Sequence, residues 1–130
     1  MPHYGAKSEI YLLTCHPDIQ QVFRRVIQVF DHSVLCGHRG DTRQEELYAQ
    51  GRTTPGKIVT SKRWPDSKHN EEPSLAIDVA PYPIDWDDVE RFAELAGHVL
   101  QVADLFNIQL TWGGHWKRKD RPHFQLRRKQ

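Results

Sequence analysis

The chain has 130 residues and 15.2 kDa, with 38% hydrophobic and 27% charged side chains, which suits a single domain spanning residues 1–130 around one core. Lys and Arg number 18 against 17 Asp and Glu, so net charge gives no ground for a polyanion-binding surface, and no nucleic-acid partner is expected. The opening MPHYGAKSEIYLLTCHPD lacks a basic stretch followed by an apolar one, and no apolar run is of membrane length, so synthesis in the cytoplasm and no membrane partner are expected. Cys15 and Cys36 lie outside any C-x-x-C pair and are expected to be reduced and structural.

Residues 17 to 31 place Ile19, Val22, Phe23, Val26, Ile27 and Phe30 on one helical stripe, opened by Pro17 and Asp18. SVLCGHRG then reads as a short strand ending in a turn, and DTRQEELYAQG as a second helix capped by Asp41 or Thr42 and stopped at Gly51. From Arg52 to Pro73 turn formers dominate and periodicity is lost, which predicts a long loop with one extended piece at Lys57 to Thr60; a loop of that length in a small domain is usually functional. SLAIDVAPYP alternates Leu75, Ile77 and Val79 with Ala76, Asp78 and Ala80, a strand with one bulky apolar face and one face of small residues around a carboxylate. Residues 87 to 107 predict a third helix, capped by Asp85 or Asp87, and IQLTW and HFQL predict two closing strands. Helices mixed with short strands that must meet in one sheet favour an α+β fold, a small, mainly antiparallel sheet packed with about three helices.

Asp78 on a strand face needs a compensating partner, because a carboxylate loses hydration there. His123 and Gln125 share the polar face of the last strand, Asp120 precedes His123 by three positions, and His69 lies in the long loop; these residues converge only if the two strands are neighbours. Two imidazoles and one carboxylate are a ligand set of catalytic Zn²⁺, which lowers the pKa of a water to roughly 7. Asp120 is then the natural base outside the ligand set. From spacing alone, a single strand His is more often a satisfied core or surface residue, and His3, His16, His32, His38, His98 and His115 are read so, His115 being closest to the candidate site in sequence. Trp64, Trp112 and Trp116 either wall a cleft or fill the core, and the KRKDR run and the RRKQ tail read as solvated faces.

SKHNEEPSLAID resembles the Ser-x-His-x-x-Gly-x-Ala-x-Asp motif of the zinc D-alanyl-D-alanine peptidase family, which includes VanX- and VanY-type enzymes and phage L-alanyl-D-glutamate endolysins (peptidase M15 type). DRPHF is similar to its acidic-x-x-His element, and GHRGDTRQEELYAQG to the segment with a Gly-x-Arg turn and a Gln-x-x-Leu-Tyr helix. The resemblance runs from about Gly37 to Leu126 and implies a Hedgehog/D,D-peptidase-like fold, Zn²⁺ held by His69, Asp78 and His123, Asp120 as catalytic base, Arg39 at the substrate or developing oxyanion, and Ser67 contacting substrate or orienting the site. Two features depart from the motif: the stretch from His69 to Asp78 is two residues longer than usual, with Ser74 in place of the glycine, and the base is Asp where many members have Glu, as among phage endolysins.

The resemblance implies a zinc peptidase cutting peptidoglycan peptide stems, a phage-type L-alanyl-D-glutamate endopeptidase acting as a monomer on the bacterial wall after release from the cytoplasm. The alternatives are a D-alanyl-D-alanine carboxypeptidase, or a non-catalytic wall-binding or phage structural module with a structural zinc.

Overall fold

The computed structural model describes residues 2–127; Met1 and Arg128 to Gln130, the greater part of the basic tail, lie outside the described residues. The elements are α1 (Ala6–Leu13), α2 (Pro17–Val26), β1 (His32–Cys36), α3 (Asp41–Ala49), β2 (Ala76–Pro81), α4 (Val89–Leu105), β3 (Leu110–Trp112) and β4 (His123–Leu126), with short 3-10 turns at Lys68–Asn70 and Gly113–His115. The four strands form one antiparallel sheet in the order β1-β2-β4-β3, so the fold is α+β with helices against a small antiparallel sheet.

Helix α2 buries Ile19, Val22, Phe23 and Val26, with Pro17 at its start. It ends at Val26 rather than at Asp31, because the bonds that follow tighten to i→i−3, Gln28 N–H to the Arg25 carbonyl (3.3 Å) and Val29 N–H to the Val26 carbonyl (3.0 Å), before the chain enters β1 at His32. Helix α3 is preceded by Gly40 with no side-chain cap, and α4 is capped by Asp88, whose carboxylate accepts from the Arg91 N–H at 3.3 Å; the expected caps at Asp41 or Thr42 and at Asp85 or Asp87 are each displaced. Helix α1 has no counterpart in the periodicity, since Ile10 and Leu13 are exposed and only Ser8 and Leu12 are buried. It is held instead by a cross-link, the Val34 N–H donating to Ser8 Oγ at 3.0 Å. Lys57 to Thr60 forms no strand.

One face of the sheet carries Val34, Leu75, Ile77, Val79, Phe124 and Leu126 into a core shared with α2 and α4. Phe23 meets Phe124 edge-on at 5.7 Å, and complete burial of such a ring is worth about 2 kcal/mol. The other face bears Ala76, Asp78 and Ala80 on β2 and His123 and Gln125 on β4, with Asp78 directly opposite His123. The register of β1 against β2 shifts between Val34 and Cys36, and this bulge turns Cys36 away from the core side of Val34 to stand opposite Asp78. Free Cys15 stays buried in the core.

Beneath β1 the Tyr4 hydroxyl lies 2.6 Å from His32 Nε2, while His32 Nδ1 reaches the Phe30 carbonyl at 2.8 Å. Burial pushes the His32 pKa from its ordinary 6.5 to about 4, against the smaller opposing pull of the Phe30 carbonyl. The unfolded chain therefore takes up a proton as pH falls through 6.5 and the folded chain does not until about 4, so stability drops across that window. Urea unfolding at pH 7 and pH 4 should show a loss of roughly 3 kcal/mol from this site. His32→Gln, which keeps a polar group for Tyr4 but does not titrate, should flatten that slope; an unchanged slope would assign the acid sensitivity elsewhere.

Candidate active site

The site lies where β2, β4 and the end of the long loop meet. Ser67 opens the 3-10 turn that carries His69: its Oγ accepts from the His69 N–H (3.2 Å), and its own N–H donates to Asn70 Oδ1 (3.0 Å). His69 is buried, and its Nδ1 lies 2.7 Å from the Gly37 carbonyl, which can only accept, so Nδ1 carries the proton and Nε2 presents a lone pair. A Cβ at Gly37 would collide with Thr14 Oγ1 and the Tyr11 carbonyl, so only glycine lets the backbone approach α1 closely enough to offer that carbonyl.

His69 Nε2 is buried without a hydrogen bond and faces Asp78 Oδ2 at 3.4 Å. His123 Nδ1 faces Asp78 Oδ1 at 3.2 Å and Asp120 Oδ2 at 3.9 Å, while its Nε2 is satisfied by Gln125 Oε1 at 2.8 Å. Acceptors thus converge from four side chains, an arrangement that requires positive charge among them. The titration behaviour expresses the same demand. Burial, the largest single influence on His69, disfavours its protonation, yet the charge and hydrogen bond of Asp78 together with the Cys36 thiol outweigh it and push the imidazole up to about 10. Burial alone would raise Asp78, but the two imidazoles hold its carboxyl well below the usual carboxylate range. Asp120 moves the other way, raised by burial and then by the neighbouring Asp78 charge.

Arg39 follows the β1 bulge. Its Nη2 lies 3.5 Å from Asp78 Oδ2 and 3.6 Å from Cys36 Sγ, and its side chain is 10% exposed. The sheet therefore brings His69, Asp78, His123, Asp120 and Arg39 together, with Ser67 at the edge, and all six line one cleft of about 1070 Å³. Between His69 and Asp78 the chain exposes Glu72 and Pro73, while Ser74 is fully buried and donates its N–H to the Thr14 carbonyl at 2.9 Å. The longer loop bulges outward and leaves the two residues together.

Cys36, expected from the sequence to be reduced and structural, stands at the site: its Sγ is 3.8 Å from His69 Nδ1, and Cys36, His69 and Asp78 have donor atoms within 4.8 Å of one another and form a possible metal-binding group. Its only sequence signal is its place at a strand end, and the bulge that aims it cannot be read from alternation. Trp116 packs on His123 at 5.1 Å and lines the cleft, as does the exposed Trp86; Trp112 stacks on Phe124 in the core margin, and Trp64 is not part of the cleft wall. His115 is exposed beside Trp112 and outside the cleft. The KRKDR run is more than a solvated face: Arg118 and Lys119 line the cleft, and Arg118 donates across it to the Ile58 carbonyl at 3.3 Å. With Arg43, Lys62 and Lys68 they make the rim cationic although the chain as a whole is nearly neutral.

An α+β scaffold that gathers two imidazoles and two carboxylates at the floor of a cationic cleft has the makings of a hydrolytic metal centre. The family model for phage L-alanyl-D-glutamate peptidases matches residues 2–130, and the chain belongs to that family. It is 40% identical over 106 residues, 74% of this chain and 60% of the relative, to the peptidoglycan L-alanyl-D-glutamate endopeptidase CwlK of Bacillus subtilis, so it spans less than two thirds of that protein's length. Over 130 residues it is 29% identical to the L-alanyl-D-glutamate peptidase of Escherichia phage T5, covering 96% of this chain and 89% of the relative. Among solved structures, the L-Ala D-Glu endopeptidase ChiX of Serratia marcescens superimposes with a TM-score of 0.77 at 32% identity, covering 96% of this chain and 90% of that one.

Proposed function

We propose that this protein is a zinc-dependent peptidase that hydrolyses the L-alanyl-D-glutamate bond in the peptide stems of bacterial peptidoglycan. The observation that carries the reading is the convergence of lone pairs from His69 Nε2, Asp78 and His123 Nδ1 beside a further acid, Asp120, in a chain whose relatives are named for that cleavage. Two imidazoles and a carboxylate suit Zn²⁺ in donor type, and His69, Asp78 and His123 would hold it, the ion taking the place of the proton that Asp78 favours on His69 Nε2. Cys36 approaches His69 at the nitrogen already engaged by Gly37, on the far side of the ring from Nε2, and is not assigned as a ligand. Zn²⁺ bound there supplies a Lewis acid that polarises a carbonyl and acidifies water.

The chain's own residues do the remainder. Asp120 accepts a proton from the attacking water as its oxygen bonds to the alanyl carbonyl carbon, then returns it to the glutamyl nitrogen as the C–N bond breaks. Arg39 offers its guanidinium to the oxyanion, while Ser67 holds the His69 turn and borders the substrate. The cationic rim draws in the carboxylates of the stem. No helix among the described residues is long and apolar enough to cross a membrane, and we place the site of action at the cell wall, reached after a separate membrane-breaching step, with the domain working as a monomer.

Purified stem peptides incubated with the zinc-loaded protein should give products with a new D-Glu amino terminus by mass spectrometry. Release of terminal D-Ala instead would overturn this assignment in favour of a D,D-carboxypeptidase.

A further inference from the structure

We infer that Gln44 is a positioning residue for this reaction, its buried carboxamide aiming the Arg39 guanidinium and locking the segment that carries His69. The inference rests on the peptidase reading for its kinetic consequences, but not for its geometry. Gln44 lies in the first turns of α3 and is 0% exposed, unusual for an amide unless its hydrogen bonds are met. They are met by three separate stretches of chain. Gln44 Oε1 accepts from Arg39 Nη1 at 3.0 Å and from Asn70 Nδ2 at 3.1 Å, and its Nε2 donates to the Lys62 carbonyl at 2.6 Å. Asn70 Nδ2 also donates to the Arg39 carbonyl at 3.0 Å, and the Arg39 N–H to the His69 carbonyl at 2.8 Å, so one side chain ties together Arg39, the cleft wall at Lys62 and the His69 turn.

The chemistry of the partner is as telling as the distances. A neutral amide oxygen fixes one arm of a guanidinium without cancelling its charge, whereas a carboxylate would form the charge-neutralising fork that arginine favours. Held by Nη1, Arg39 turns Nη2 to within 3.5 Å of Asp78 Oδ2 and keeps Nε buried without a hydrogen bond, so Gln44 adds no second negative charge to the one Arg39 already faces and leaves part of its cation for negative charge that appears during reaction. Loosening that hold displaces the donor, and a displacement near 1 Å costs on the order of 10²-fold in rate.

The test compares Gln44→Met and Gln44→Glu with the wild-type protein, each zinc-loaded, on purified stem peptides. Gln44→Met fills the volume but removes every hydrogen bond; kcat should fall on the order of 10²-fold with KM changing only a few-fold and zinc content unchanged. Combined with Arg39→Ala, the same substitution should cost less than about threefold further, because Gln44 acts through Arg39. Independent full costs in the double variant would overturn the inference. A readout free of activity is the Arg39 Nε–H resonance in ¹H–¹⁵N spectra, expected to be sharp and slow to exchange in the wild type and lost in Gln44→Met. Its survival there would overturn the inference even if no stem peptide is cut, an outcome that would separately refute the peptidase reading. Should Gln44→Met fail to fold, Gln44→Glu decides: it keeps Arg39 in place but neutralises it and sets a carboxylate against the Lys62 carbonyl. The Nε signal should then persist while kcat falls, and full retention of kcat would refute the role.

Discussion

Asp120→Ala should slow hydrolysis of stem peptides by roughly 10²- to 10⁴-fold while leaving bound zinc and the folded structure in place. The separation is expected because the side chain and the backbone of Asp120 have different duties. Its carboxylate is 42% exposed, stands 3.9 Å from His123 Nδ1 and reaches into the cleft. Its backbone holds the turn on its own account: the Asp120 N–H donates to the Gly113 carbonyl at 2.9 Å, and its carbonyl accepts from the His123 N–H at 3.2 Å. A Cβ at Gly113 would strike that same carbonyl, so the turn that presents Asp120 is closed by a glycine and not by the carboxylate. Asp120→Asn should behave alike, since an amide keeps the shape but takes up no proton. Elemental analysis beside product mass spectrometry checks both variants. Undiminished cleavage would move proton transfer to another group, and a wall-binding module would be indifferent to the change.

The second large effect is expected at His123. His123→Ala should lose zinc, from one ion per chain to near none, and with it stability of roughly 2–4 kcal/mol, because metal binding is linked to folding and the buried ring is replaced by a void. His123 is 7% exposed, stacked at an angle against Trp116 and paired with Asp78 across the β2–β4 ladder, so removing it takes one of the two imidazoles from a half-buried carboxylate. A chelator should lower the wild-type melting temperature toward that of the variant and leave the variant itself unmoved. The same measurement separates two ligand sets. Zinc retained in His123→Ala but lost in Cys36→Ala would transfer the ion to the group of Cys36, His69 and Asp78.

Strand patterning made much of this site legible. Alternation along SLAIDVA and HFQL already assigned Leu75, Ile77, Val79, Phe124 and Leu126 to one face, and they are core residues; it put Asp78 and His123 on the opposite face, where they pair. The period of two survives because each strand has one buried side, and a slip by one residue would expose all of it. Helix α1 is not legible in the sequence for the converse reason: its exposed Ile10 and Leu13 break the stripe, and a cross-link from Ser8 to β1 leaves no trace in hydropathy.

What the amino-acid order determined by itself was the inventory of chemistry, two imidazoles, two carboxylates and an arginine, and the faces from which the strand-borne members project. Tertiary structure alone decided which nitrogen of each ring is free, through the Gly37 carbonyl and Gln125, and that a bulge would set Cys36 beside His69. It also decided that Gln44, the glutamine of the Gln-x-x-Leu-Tyr segment, would be wholly buried among Arg39, Lys62 and Asn70. The physical reason is that periodicity reports burial averaged along an element, whereas a hydrogen bond depends on a few tenths of an ångström between segments that meet only after the chain has folded.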